Sequence, residues 1–254
     1  MTNLEKEVKR AADARADFIH LDVMDGIFVQ NKTFDHEKIK QLRPITSIPF
    51  DTHLMINEPV KHVKNYVGAG CDIITVHAEV CDESSFGEIH DVLRSNEVSV
   101  GLAINPDTEL PPWSEKFISD LDQLIIMSVI PGKSGQKFIE SIHEKTQRIA
   151  KFLSERKFEG LIEADGGVDL SNVESCFLDG ARVFVGGSAI IGQKDVLTTI
   201  LEFRKKIIHA RRNLLIRKAH SLGGIDLVNK WIDLHEVEQK KTELLQIAKE
   251  TGFV

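Results

Sequence analysis

The 254-residue sequence predicts an α/β protein, specifically a (β/α)8 or TIM barrel that lacks its first strand in this chain and carries extra C-terminal helices. Three observations predict it. Short β-branched runs alternate with helical stretches from residue 16 to about 190, an order that gives parallel strands joined by right-handed crossovers. Glycine-rich turns follow the later strands, in the loops where such barrels bind phosphate. No G-x-G-x-x-G follows a strand, which weakens a doubly wound open sheet as the alternative.

The chain opens in "LEKEVKRAADARAD", whose Leu4, Val8, Ala11 and Ala12 form a helical stripe leading into the first strand. Strands are expected at 17–23, 48–55, 72–77, 98–104, 122–128, 160–165 and 182–187. Between them, "HEKIKQLR", "EPVKHVKNYVGAG" and "KFIESIHEKTQRIAKFL" carry apolar residues at three- and four-residue spacing and read as helices. "GAGCDIITV" and "LDGARVFVGG" each place a glycine at a helix exit. A long helix from near Lys194 runs through "LEFRKKIIHARRNLLIRKAHSLGG". A second follows the Gly223-Gly224 break, with Leu227, Trp231, Leu234 and Val237 on one face, a stripe suited to packing on its own domain or a sister subunit. The expected division is a barrel over 1–205 and a helical extension over 206–254. A barrel of eight units begins with a strand, and seven strands are counted here. The expectation is a longer natural protein whose start was assigned to an internal methionine; the alternative is that the C-terminal helices shield the opening between unpaired edges.

With 32 basic and 39 acidic residues mixed along most of the chain, the formal charge is -7, which offers no footprint for nucleic acid or an acidic membrane. No apolar run approaches the roughly 18 residues of a membrane span, and the N-terminus has no secretory core, so a cytoplasmic protein is expected. Cys71, Cys81 and Cys176 are an odd set without C-x-x-C, which suggests buried or idle thiols rather than disulfides or a thiolate zinc site.

The chemistry begins at "HLDVMDG". In a strand, His20, Asp22 and Met24 share one face while Ile19, Leu21 and Val23 share the other. The next strand repeats the pattern with Asp51, His53 and Met55, and the strand at 160–165 ends in Asp165. In a parallel barrel these C-terminal strand ends converge, so His20, Asp22, His53 and Asp165 form a ligand set suited to one divalent ion such as Zn²⁺, Fe²⁺, Mn²⁺ or Co²⁺. Any one histidine alone is as well explained as a hydrogen-bonded core residue; convergence from three strands argues for the site. "SVIPGKSGQKF", "DGGV" and "VGGSAIIG" follow three successive strands, and their glycines let backbone amides approach an anion.

In order and spacing, "FIHLDVMDGIFVQN", "DTHLMINEP", "DIITVHAEV", "GLAINPDTEL", "MSVIPGKSGQKF", "IEADGGV" and "VGGSAIIG" resemble the signature segments of ribulose-phosphate 3-epimerases, over residues 3 to about 200. The resemblance implies His20, Asp22, His53 and Asp165 as metal ligands, with Asp22 and Asp165 also the acid/base pair. It implies Met24, Met55 and Met127 as pocket methionines, and phosphate loops at Gly132, Lys133, Ser134, Gly135, Gly166, Gly167, Gly187 and Ser188. The implied reaction interconverts ribulose 5-phosphate and xylulose 5-phosphate by removing and returning the C3 proton through an enediolate, which needs a base on each face. The implied partner is a small phosphorylated ketose, and a homo-oligomer is expected. His77 and Glu79 also belong to the family pattern and read as supporting or structural groups. Two departures stand out. The family's first strand is absent, and Lys133 and Ser134 replace an aromatic and a small residue, so that Lys133 adds charge near the phosphate or projects into solvent. Rival readings are a 3-epimerase of a six-carbon ketose phosphate, such as allulose 6-phosphate, and an inactive sugar-phosphate-binding paralogue.

Overall fold

Alternating inward and outward side chains, with β-branched residues on the outward face, produce seven parallel strands in the computed structural model, which describes residues 4–221. They are β1 (Ile19–Met24), β2 (Phe50–Met55), β3 (Ile73–His77), β4 (Ser99–Ile104), β5 (Gln123–Met127), β6 (Leu161–Asp165) and β7 (Val183–Val185), hydrogen-bonded in that order. No pairing joins β7 back to β1 among the described residues, so the barrel is open by one strand. The helices are α1 (Leu4–Asp13), α2 (His36–Leu42), α3 (Val63–Gly68), α4 (Glu83–Ser95), α5 (Ile142–Ser154), α6 (Val173–Asp179) and α7 (Val196–Ser221). By contacts the chain divides into Met1–Arg204 and Lys205–Val254. The expected second C-terminal helix, with Leu227, Trp231, Leu234 and Val237, lies outside the described residues. No helix among the described residues is long and apolar enough to cross a membrane.

The outward strand residues meet the helices in a closed apolar layer. Ile74, Val76, Val100, Leu102 and Leu124 are fully buried, as are Ile39 and Leu42 of α2 and Phe86, Ile89 and Leu93 of α4. Each such side chain contributes about 1.5–3 kcal/mol on transfer from water. Helix starts are fixed by side chains: Asp35 accepts from the N–H groups of Glu37 and Lys38, and Asp82 and Ser85 form a reciprocal cap on α4. α1 leads into β1, as its stripe predicts, burying Val8 and Ala11. Its Arg10 donates to the carbonyls of Ile191 and Gln193, tying α1 to the loop after β7.

Two segments differ from the expected helices. "EPVKHVKNYVGAG" divides into a 3-10 turn, Pro59–Lys61, and the short α3, because Pro59 starts a turn that closes before Val63. Lys137–Ile139 stay outside any helix, Glu140 and Ser141 form a turn, and α5 begins only at Ile142, since the Ile139 N–H donates to the Ser128 carbonyl and holds this segment against the end of β5. Strand ends shift by one or two residues from those expected.

Candidate metal centre and active site

Register brings the polar inward residues together. Across β1 and β2, His20 lies opposite Asp51, Asp22 opposite His53 and Met24 opposite Met55. β6 reaches the same point from the other side of the opening and ends in Asp165. His53 is fully buried, Asp165 is buried, and His20 and Asp22 are partly so. Their ligand atoms all lie within 4.8 Å of one another. His20 Nε2 is 3.3 Å from Asp22 Oδ1 and 3.8 Å from Asp165 Oδ2, and His53 Nδ1 is 3.3 Å from each of the same two oxygens.

These atoms face one another without bonding. His20 Nε2, Asp22 Oδ1 and His53 Nδ1 are buried and have no hydrogen-bond partner among the described residues. A charge-assisted hydrogen bond between such groups would be about 2.7–2.9 Å long. An ion with tetrahedral bonds of about 2.0–2.2 Å instead sets its ligands about 3.3–3.6 Å apart, close to the separations found. The donor set, two imidazoles and two carboxylates, therefore fits a borderline divalent cation.

The far side of His20 is also built. His20 Nδ1 is 2.8 Å from Asp51 Oδ2 and 3.3 Å from Glu163 Oε1, and Gln123 donates to Asp51 Oδ1 at 2.9 Å. Burial opposes charge on His20, but Asp51, Glu163 and Asp22 outweigh it, so its pKa stands well above the ordinary imidazole value. Burial likewise opposes charge on His53 and is outweighed by Asp165 and Asp22, which raise its pKa. Asp22 is pushed up by burial but held well below the usual carboxylate range by the two imidazoles. Burial and the neighbouring Asp51 push the Glu163 pKa well above it. The sequence alone sets Asp51 on the inward face of its strand beside His53 without giving it a task, and Glu163 was passed over. Glu163 stands two residues before Asp165 and so on the same inward face, a signal that was there to be used.

The three methionines are buried and separate into two walls. Met24 and Met55 pack with Val29 and Phe28, whereas Met127 packs with Ala103, Ile125 and Val129. The glycine loops after β5 and β6 interlock. A Cβ on Gly166 would fall 2.4 Å from the Val129 side chain, and one on Gly167 would fall 2.4 Å from the Phe138 nitrogen. Ser128 Oγ donates to the carbonyls of Asp165 and Gly166 at 2.9 and 2.6 Å, stitching the same two loops. Gly132 sits against Val29, and its carbonyl accepts from Asn31, which joins the loop after β1 to this group. Gly187 and Ser188 begin a tight helical turn after β7, beside β6 in the sheet. Lys133, Ser134 and Gly135 are exposed at the tip of their loop, and the Lys133 and Ser134 side chains make no hydrogen bond or ion pair among the described residues. The cysteines are free, and burial pushes the Cys81 and Cys176 thiols up to about 12, as expected of idle thiols.

Comparison with known proteins gives the arrangement a lineage. Residues 1–191 match the profile of the ribulose-phosphate 3 epimerase family. The chain is 38% identical over 202 residues to ribulose-phosphate 3-epimerase of Bacillus subtilis, covering 79% of this chain and 92% of that one. It is 39% identical over 200 residues to the chloroplastic ribulose-5-phosphate-3-epimerase of Arabidopsis thaliana, covering 78% and 70%. Among solved structures, 3-hexulose-6-phosphate synthase from Salmonella typhimurium shares the fold with a TM-score of 0.57 at 17% identity, covering 81% of this chain and 92% of that one. Signature segments, barrel architecture and sequence identity over four fifths of its length agree, and the chain belongs to the ribulose-phosphate 3-epimerase family.

Proposed function

We propose that this chain interconverts D-ribulose 5-phosphate and D-xylulose 5-phosphate with one divalent cation, Zn²⁺, Fe²⁺, Mn²⁺ or Co²⁺, held by His20, Asp22, His53 and Asp165. The observation that carries the reading is a cluster of four ligand groups from three strands, of which the His20, Asp22 and His53 atoms are buried and unbonded, in a chain of this family. When bound, the cation supplies Lewis-acid stabilisation of the oxygen charge that develops as the C3–H bond breaks.

The residues divide the remaining work. Asp22 and Asp165 rise from strands on either side of the barrel opening, so a substrate lying between them presents one face of C3 to each. One carboxylate takes the C3 proton, the bonding pair moves into C2–C3 to give the enediolate, and the other, protonated, returns a proton to the opposite face. Met24, Met55 and Met127 keep the carbon skeleton in a dry, polarizable lining. The amides around Gly132, Gly135, Gly166, Gly167, Gly187 and Ser188 hold the phosphate, and Lys133 and Ser134 flank it from the loop tip. Phosphate binding is then spent on orientation at C3. The barrel, 1–205, carries this activity. A cytoplasmic homo-oligomer without nucleic acid or membrane partners completes the reading.

The test is an NMR assay in D₂O of the full chain with ribulose 5-phosphate, with added Zn²⁺ or Co²⁺ and again after chelation. Deuterium entering C3 as xylulose 5-phosphate appears, with loss on chelation, is expected. Faster turnover of a six-carbon ketose phosphate would change the substrate; no exchange on either sugar would leave a binding protein.

A further inference from the structure

The two histidines of the cluster secure their second ring nitrogens differently. His20 Nδ1 meets a carboxylate directly, Asp51. His53 Nε2 meets another imidazole, lying 2.8 Å from His77 Nε2 with both rings fully buried. His77 Nδ1 is in turn 3.0 Å from Glu79 Oε2, and Glu79 Oε1 accepts from the Asn105 N–H at 2.7 Å. Asn105 is itself anchored, because the buried Lys145 donates to the carbonyls of Asn105, Pro106 and Thr108 at 2.6, 3.0 and 2.6 Å. A continuous chain of bonds thus runs from α5 through the loop after β4 to the cluster.

Its direction is forced. Two imidazole nitrogens at 2.8 Å share one proton, so one donates and one accepts. The Glu79 carboxylate only accepts, so His77 Nδ1 donates to it, and neutral His77 has Nε2 left as an acceptor. His53 Nε2 must then carry the proton. In the neutral ring, the form that binds a metal, Nδ1 then presents its lone pair to the point between Asp22 and Asp165. Both rings are closed off from bulk solvent.

We infer that His77, oriented by Glu79, is a positioning residue that fixes His53 in the tautomer whose Nδ1 faces the metal cluster. The inference rests on the proposed metal site, but the arrangement of protons within the relay can be read without metal. Removing such a supporting partner typically weakens metal binding about 10–100-fold. Glutamine at 77 can accept through Oε1 and donate through Nδ-like geometry from its amide nitrogen; phenylalanine fills the space and does neither.

The experiment has two arms on the full chain. In the metal-free protein labelled with ¹⁵N at histidine, long-range ¹H–¹⁵N spectra should show His77 protonated at Nδ1 and bare at Nε2; a proton on Nε2 overturns the inference, whatever the variants do. In the second arm, chelator competition measures Zn²⁺ affinity of wild type, His77→Phe and His77→Gln, with circular dichroism confirming the fold. A loss of about 10–100-fold in His77→Phe, largely recovered in His77→Gln, is expected. Equal affinity in wild type and folded His77→Phe overturns the positioning role. Absence of Zn²⁺ binding by wild type itself would instead overturn the metal reading, and the first arm would still decide the relay.

Discussion

Glu79 shows how far from the cluster a carboxylate can matter. Burial pushes its pKa up, but hydrogen bonds from His77, Thr108 and the Asn105 N–H outweigh this and hold it at about 2 against an ordinary 4.5. A carboxyl whose pKa is depressed by folding adds stability above its unfolded value, and that stability is lost as pH falls through the folded one. Its contribution is therefore present above about pH 4.5 and disappears towards pH 2. Glu79→Gln should flatten the acid limb of stability in that window and leave less stability at pH 7; denaturant melts from pH 7 to 2 measure it, and an unchanged acid limb would refute the coupling. Residues of this kind are half-readable in sequence. Alternation along a strand found His20, Asp22 and His53, because their partners share their strand or its neighbour. The bond between His53 and His77 was not readable: the register sets His53 opposite Thr75, and only three-dimensional stagger brings the His77 ring across.

At the scale of elements, the loops do what their glycines require. Gly167 has φ +66°, a conformation other residues adopt with strain, and its missing side chain is the space into which the 136–138 segment packs. Gly167→Ala should cost about 1–3 kcal/mol, whereas Gly187→Ala, whose Cβ would meet nothing within 4 Å, should stay within about 0.5 kcal/mol. Thermal or denaturant unfolding of the two variants checks the contrast, and equal losses would contradict it. The glycine clusters themselves stood out in the sequence. What sequence periodicity misassigned was the segment just after them: "KFIES" has helical spacing, yet its backbone is bound to the end of β5 instead.

At the scale of the molecule, seven strands hold a site that spans the opening they leave. His20 on β1 stands 3.3 Å from Glu163 and 3.8 Å from Asp165 on β6, with β7 and the unpaired edges between those strands around the barrel. The alternation of strands and helices made this architecture readable, as did the shortfall of one strand. The claim that matters most is that this open barrel epimerises at C3 with two opposed aspartates. The direct measurement offers ribulose 5-phosphate and xylulose 5-phosphate separately, in D₂O, to metal-loaded wild type, Asp22→Asn and Asp165→Asn, with bound metal quantified, and follows C3–H by NMR. Wild type should exchange and invert both sugars. Each variant should lose inversion by about 10²–10⁴-fold, while its surviving aspartate still exchanges C3–H of one epimer, the opposite one in the two variants. Inversion by either variant at more than about a tenth of the wild-type rate, with metal bound, would contradict the two-base account.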